Sequence, residues 1–395
     1  MTRNMQTKKN IIFIVFFLLT IGNGKFAIST FGHSIEYIGL GLLLASVIFE
    51  IITGKRPIKE LTGIIVFGLI MSCGAFLSDI SNGTKATIAL STFLLISYPK
   101  FSKHFISENA LIKTLGDALL FGMITNAIVG VVTGTLGLSI GSNASILKVL
   151  FLCGMKIKNY CGGVWLTIYL LYYAYYYRNG TLLKHRLRFI LLFLLILLSS
   201  SKGACFLAIV FNLYMFFNKT IEFKETREKK FFTFALIVAI ILLAAYVYSD
   251  VLANVPTYAY RIKGMDKLFN LAINNPAKLL FGFQDIAYAN TGLDYVVNMR
   301  NYLGWDASVE MAYVNILIKY GLVGFLAYGK IFKDIINKIR LTANKEKSIA
   351  TCILIIMLLS GFVETYIASV HYVVGPTLFC LINSILNDKG TKNNG

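Results

Sequence analysis

Charge is what this sequence lacks. Asp, Glu, Lys and Arg make up only 14% of its 395 residues, against about 25% in a soluble globular domain. Length alone would suggest two or three soluble domains, and the scarcity of charge argues against them. Histidine is scarce too, with four residues at 33, 104, 185 and 371. They are too scattered for a dedicated metal site, and no cofactor is expected. The six cysteines, at 73, 153, 161, 205, 352 and 380, form no CxxC and no Cys/His cluster. Cys153 and Cys161 are the best pair and read as packed thiols, not a disulfide. There is no P-loop, no HExxH and no Asp-x-Asp, which removes the usual nucleotide and metal–nucleotide-sugar chemistries.

Acidic residues are the rarer sign, 19 against 38 basic ones, for a net charge of +19. Such an excess can indicate nucleic acid. Here, however, the basic residues fall in short clusters between apolar runs, as in loops that hold helix ends on the cytoplasmic side of a membrane. The expected partner is membrane lipid, with no nucleic acid.

What is abundant is apolar sequence, at 56% of residues. Runs of about 15 to 20 apolar residues recur along the chain, the signature of membrane helices. The spacing predicts an all-α, polytopic membrane protein of about twelve transmembrane helices with one large outer loop. The spans lie near 10–28, 35–53, 61–79, 85–99, 114–134, 161–177, 187–201, 203–217, 231–249, 307–329, 349–366 and 369–386. With the N-terminus inside, the segments on that side carry 26 of the 38 Lys and Arg. The positive-inside rule therefore predicts cytoplasmic N- and C-termini, as in a multi-pass protein of the bacterial inner membrane. Residues 1–15 resemble a signal peptide, with Arg3, Lys8 and Lys9 before Ile11 to Leu19, and read better as an uncleaved first helix.

The domain organisation follows from this map. Residues 1–249 hold the first nine helices, 250–306 a large periplasmic loop, and 307–395 the last three helices and a cytoplasmic tail. The loop carries Tyr258, Tyr260, Phe269, Phe281, Phe283, Tyr295 and Trp305, too apolar for disorder, and reads as a folded cap. Tyr169, Tyr172, Tyr173, Tyr175, Tyr176 and Tyr177 read as an aromatic belt at the cytoplasmic face. Gly130 and Gly134 read as a close-packing pair.

The residues that can carry chemistry sit at the predicted outer face. Lys202, in Ser199-Ser-Ser-Lys-Gly203, lies where the seventh span turns into the eighth. A lysine at mid-bilayer costs about 2.5–3.5 kcal/mol, so it either snorkels to the interface or meets an anion. Arg261, Lys263 and Lys267 could grip phosphate oxygens, or form a solvated basic turn. Asp306 and Glu310 stand four apart at the start of the tenth span. Acidic residues there either complement the helix dipole or, where apolar surroundings raise a carboxylate's pKa, supply a general base. Glu364 and His371 close the last hairpin, where a structural ion pair or loop hydrogen bond is the simpler reading.

Over about residues 187–335 the sequence resembles the O-antigen polymerase/ligase superfamily of bacterial surface-polysaccharide assembly. Ser-Ser-Lys202-Gly-Ala is similar to that family's Ser/Thr-Arg-Ala/Gly turn, with Lys for Arg. Arg261, Pro276 and Leu279-Leu-Phe-Gly-Phe283 resemble its Arg…Pro-x-x-x-Leu-Phe-Gly-x-Gly pattern, with Gln284 where the second Gly is common. Glu310 to Gly324 resembles its loop-to-helix stretch ending in Tyr-Gly-x-x-Gly. The resemblance implies an undecaprenyl-diphosphate-linked oligosaccharide as substrate, with Lys202 and Arg261 holding the diphosphate and Arg300 adding a contact. It also implies a flippase and a chain-length regulator as partners. Ligases of the family carry a His-Asn pair where this chain has Glu310, which points to a polymerase with Glu310, or else Asp306, as base. The alternatives are a ligase to lipid A–core and, in another class, a lipid-linked oligosaccharide flippase. A transporter would place its ionisable groups near the midplane and show internal repeats, and neither is seen.

Overall fold

The structure is a computed structural model, and it describes residues 3–28, 30–53, 58–76, 81–105, 109–143, 146–220, 256–283, 311–342 and 344–387. The described chain is 85% helix. Each apolar run predicted as a span coincides with a helix, except 231–249, which lies outside the described residues. The helices are α1 (Arg3–Gly22), α2 (Thr30–Thr53), α3 (Ile58–Phe76), α4 (Asn82–Phe105), α5 (Asn109–Val132), α6 (Lys158–Arg178), α7 (Arg186–Leu198), α8 (Lys202–Thr220), α9 (Pro256–Ile273), α10 (Pro276–Phe281), α11 (Ala312–Arg340), α12 (Asn344–Val363) and α13 (Val374–Asn387). Among the described residues an antiparallel hairpin, β1 (Leu138–Asn143) and β2 (Ile146–Phe151), runs in register from Leu138 opposite Phe151 to Asn143 opposite Ile146.

Among the described residues, three helical stretches are long and apolar enough to cross a membrane: Leu111–Val132, Ala312–Arg340 and Glu346–Val363. Shorter apolar stretches fall in α2, α3, α4, α8 and α13. Large apolar side chains stand outward on many helices, among them Leu69, Phe121, Ile128, Leu187, Phe216 and Leu326. A soluble surface seldom leaves so much apolar area to water, whereas lipid covers it without cost.

The core is organised around α6. Every residue from Tyr160 to Tyr172 is buried, as expected of a helix apolar on all sides. It packs on α5, α7, α8 and α13, while α1 lies against α2 and α5, and α12 against α8, α11 and α13. Of the tyrosines read as a membrane belt, Tyr169, Tyr172 and Tyr176 are buried and Tyr173, Tyr175 and Tyr177 are half-buried. Tyr169 and Tyr173 stack, and Phe211 of α8 meets both edge-on. Tyr172 donates to Asp117 Oδ1 of α5 at 2.8 Å and Tyr169 to Asn212 Oδ1 of α8 at 2.6 Å. A phenol that finds an acceptor can be buried at little cost, and these helices supply the acceptors. Gly130 does permit close approach, though to the loop beyond β2 and not to a helix: a Cβ there would lie 3.1 Å from Gly154 Cα. Gly134 is a left-handed turn with open space beside it.

Among the described residues, helices joined by short turns run back along one another, so those connections collect at two ends. The end bearing the start of α1 is here termed proximal and the other distal. At the proximal end Asn383 Nδ2 of α13 donates to the carbonyl of Pro99 in α4 at 2.6 Å, and Arg188 lies 5.0 Å over the Tyr172 ring. The described part of the 250–306 segment is helical. Leu268, Ala272 and Phe283 form a small second core with Met311, Val314 and Ile318 of the α11 entry. It is a folded element resting on α11.

Candidate functional site at the distal end

The turn that presents Lys202 is built by its own serines. Ser199 Oγ donates to the Ile196 carbonyl at 2.6 Å and accepts from the Ser201 amide at 3.3 Å. Ser201 Oγ accepts the Ala204 amide at 3.3 Å, which caps α8 in the ordinary N-terminal manner. Ser200, at φ 54°, takes the left-handed conformation that reverses the chain. The turn is seated on Gly162 of α6, where a Cβ would come within 2.4 Å of Ser201 Cβ. Lys202 is the first residue of α8 and is exposed. A lysine at a helix N-terminus adds its charge to the positive end of the dipole.

Glu364 joins this turn to the entry of α11. It is buried at 6% exposure, and a Cβ on Gly203 would lie 3.1 Å from its Oε1. Its carboxylate thus stands at the positive end of α8, which offsets part of the cost of burying it. Its backbone carbonyl accepts the Ala312 amide at 3.0 Å. Met311 is extended, so the helix begins at Ala312 and not near 307. Asp306, Glu310 and Arg300 lie outside the described residues.

Two stretches quoted for the family resemblance interlock through backbone. The Phe283 amide donates to the Ile318 carbonyl at 2.6 Å. Gly282 stands at φ 87°, ψ −178° and Gly321 at φ 61°, ψ −161°, a region that is essentially glycine-only. Gly321 breaks α11 at its first third, and a Cβ there would meet the Leu280 carbonyl oxygen at 2.3 Å. Tyr313, another residue of the α11 stretch, is structural, with its hydroxyl donating to the Leu358 carbonyl at 2.7 Å. Arg261 and Lys263 fall within α9, not in a turn, and their side chains lie outside the described residues. Residues two apart do not face each other on a helix, so a joint grip by 261 and 263 does not fit.

His371 and Glu364 are not partners. His371 Nδ1 lies 2.9 Å from Glu36 Oε1 of α2, and its Nε2 lies 3.5 Å from Ser91 Oγ of α4. Lys156 Nζ is 4.0 Å from Glu36 Oε2 and donates to the Gly22 carbonyl at 3.3 Å. Asn23 Nδ2 holds the His371 carbonyl at 3.2 Å. Tyr160 lies beside this cluster, its ring edge-on to Tyr372 with centroids 4.3 Å apart. Its hydroxyl is buried without a hydrogen-bond partner among the described residues, within electrostatic reach of both Glu36 and Glu364.

The structure therefore gathers Lys202, Glu364 and His371 at one end and adds Glu36, Ser91, Lys156 and Tyr160, which the sequence reading missed. A signal for Glu36 was available, since an ionisable residue inside an apolar helix is a functional hypothesis by default. A serine-hydrolase spacing, Gly137-x-Ser139-x-Gly141, also occurs. It falls in strand β1 and not in the strand-to-helix elbow that such a nucleophile needs. Cys153 and Cys161 are free thiols in contact with each other. Among the described residues no group of three or more His, Cys, Asp or Glu could hold a metal ion. No protein-family model matches the chain, and no curated protein matches it.

Proposed function

We propose that this protein is a surface-polysaccharide polymerase of the O-antigen type, acting at the outer face of a bacterial inner membrane. The observation that carries the reading is a pair of contacts that sequence-distant stretches make with the first third of α11. Leu279–Phe283 and the Tyr320-Gly321 break interlock through glycines, and Lys202-Gly203 is tied to the α11 entry by Glu364. These are the stretches on which the family resemblance rests, and their convergence supports reading them as one site. The alternation of helices, with basic clusters at the proximal end, supports a periplasmic position for that site.

The reaction is glycosyl transfer from undecaprenyl diphosphate. A hydroxyl of one lipid-linked repeat unit attacks the anomeric carbon of the growing glycan. The bond from that carbon to the diphosphate breaks, with its electron pair leaving on the diphosphate. Lys202 and Arg261 stabilise that departing charge, with Arg300 beside them, in the manner of fixed cations aimed at developing charge. The exposed apolar faces of the helices accept the polyprenyl tails. The proton of the attacking hydroxyl goes to a base at the same face, for which the sequence nominates Glu310 and Asp306.

The test is a gel of lipopolysaccharide from the source strain with this gene deleted. Core bearing a single repeat unit and no ladder is the expected result. Bare core, with polymer still on undecaprenyl diphosphate, means a ligase. An unchanged ladder, with capsule and exopolysaccharide also unchanged, rejects polymerisation and turns attention to transport.

A further inference from the structure

The Glu36–His371 pair has the geometry of a working acid–base centre. Nδ1 lies 2.9 Å from Glu36 Oε1; a carboxylate oxygen can only accept, so Nδ1 carries the hydrogen of this bond and Nε2 is the nitrogen turned to the alcohol. The ring is 34% exposed, and the oxygen it faces is an alcohol, Ser91 Oγ at 3.5 Å. Carboxylate, imidazole and hydroxyl stand in the order that activates an alcohol in acyl- and glycosyl-transfer sites, with spacing often looser before substrate binds. Glu36 is itself held: its side chain is 12% exposed, and Lys156 Nζ lies 4.0 Å from its other oxygen. Four elements converge here, α2, α4, the segment before α6 and the loop before α13, and such a set is costly to assemble in apolar surroundings.

A second feature points to a ligand. The Tyr160 hydroxyl is buried at 6% exposure and has no partner among the described residues. A buried phenol of this kind is costly unless something accepts its hydrogen bond. It is in electrostatic reach of both Glu36, beside His371, and Glu364, beside Lys202. Its ring packs edge-on against Tyr372, the residue after His371, with centroids 4.3 Å apart.

We propose that His371 is the general base that deprotonates the acceptor sugar hydroxyl, with Glu36 as its positioning residue and the Tyr160 hydroxyl as a donor to a substrate oxygen. The proposal rests on the polymerase reading and assigns its proton to His371 in place of Glu310. The acceptor O–H gives its proton to Nε2 as its oxygen bonds to the anomeric carbon. The C–O bond to undecaprenyl diphosphate breaks with its electrons on the diphosphate, and the imidazolium later releases the proton to water. Ser91 occupies the position that the acceptor hydroxyl takes.

The experiment is an in-vitro polymerisation assay on detergent-solubilised protein with lipid-linked repeat units isolated from the source strain. His371→Asn keeps a donor for Glu36 but has no base. It should lower kcat about 100-fold or more with KM little changed and with the amount of folded protein unchanged. His371→Gly should be as slow and should recover with added imidazole, a rescue that a merely structural histidine would not show. Wild type that forms polymer while His371→Asn keeps its rate overturns the His371 assignment and leaves the polymerase reading intact. Wild type that forms no polymer from these units overturns the polymerase reading itself.

Discussion

Gly282 and Gly321 face each other across the junction of α10 and α11, each within 3 Å of the other segment's backbone were it to carry a Cβ. Both occupy a conformation that costs any other residue about 1–3 kcal/mol. The substitution Gly321→Ala adds to this a collision with the Leu280 carbonyl. Gly321→Ala should lower the melting temperature of the solubilised protein by several degrees and abolish polymer. A neutral result would mean that α10 can part from α11 at no cost. Gly329→Ala, on the same helix with open space beside it, is the matched control and should change neither.

Lys202 gives the opposite pattern. It is exposed, and a surface substitution of that kind shifts stability by no more than about 0.5 kcal/mol. Lys202→Ala should therefore leave the melting temperature in place while lowering the polymerisation rate about 100-fold, the usual effect of losing one fixed donor to a developing anion. Lys202→Arg should retain most of the activity, since the charge stays at the N-terminus of α8. Arg261→Ala should resemble Lys202→Ala: protein present in the membrane, no ladder on the gel. A full ladder from Arg261→Ala would remove that residue from the site.

The orientation of the bundle is separately testable. Ser139 on the distal hairpin and Leu183 at the proximal end are both exposed. With Ser139→Cys, a membrane-impermeant maleimide should label intact cells after outer-membrane permeabilisation. With Leu183→Cys it should label only after lysis. The reverse pattern would turn the molecule over and place Lys202 and His371 in the cytoplasm, where no lipid-linked polymerisation of this kind could use them.

The helices were legible because hydropathy is local: each apolar run is its own evidence. What decided the interior was not local. Tyr172 and Tyr176 close an apolar helix before Arg178, which reads the same at an interface as in a core. The acceptor that makes burial affordable is Asp117, 55 residues away. Likewise His371 suggested a hydrogen bond, but Glu36, 335 residues distant, could be found only by folding the chain. Glu364 and His371, seven apart in sequence, were paired on proximity, and the fold separates them into neighbouring clusters. The glycines of the Leu-Leu-Phe-Gly and Tyr-Gly stretches were visible as letters. That they need each other became visible only when the two segments met.

Glu310 and His371 are rival destinations for one proton, and a single substitution separates them. Glu310→Gln keeps the size of the side chain and its capacity to hydrogen-bond, while removing any function as a base. With His371 as base, Glu310→Gln should retain the ladder, losing at most the few-fold expected of a group that orients the acceptor. Asp306→Asn should behave in the same way. With Glu310 as base, the same change should cost about 100-fold or more, and His371→Asn should then be mild. An inactive Asp306→Asn beside an active Glu310→Gln would move the role to Asp306. The double variant Glu310→Gln/His371→Asn adds a further check on additivity. If His371 alone takes the proton, the double should be slower than His371→Asn only by the small factor of the Glu310 change, since groups with no shared role combine additively in free energy.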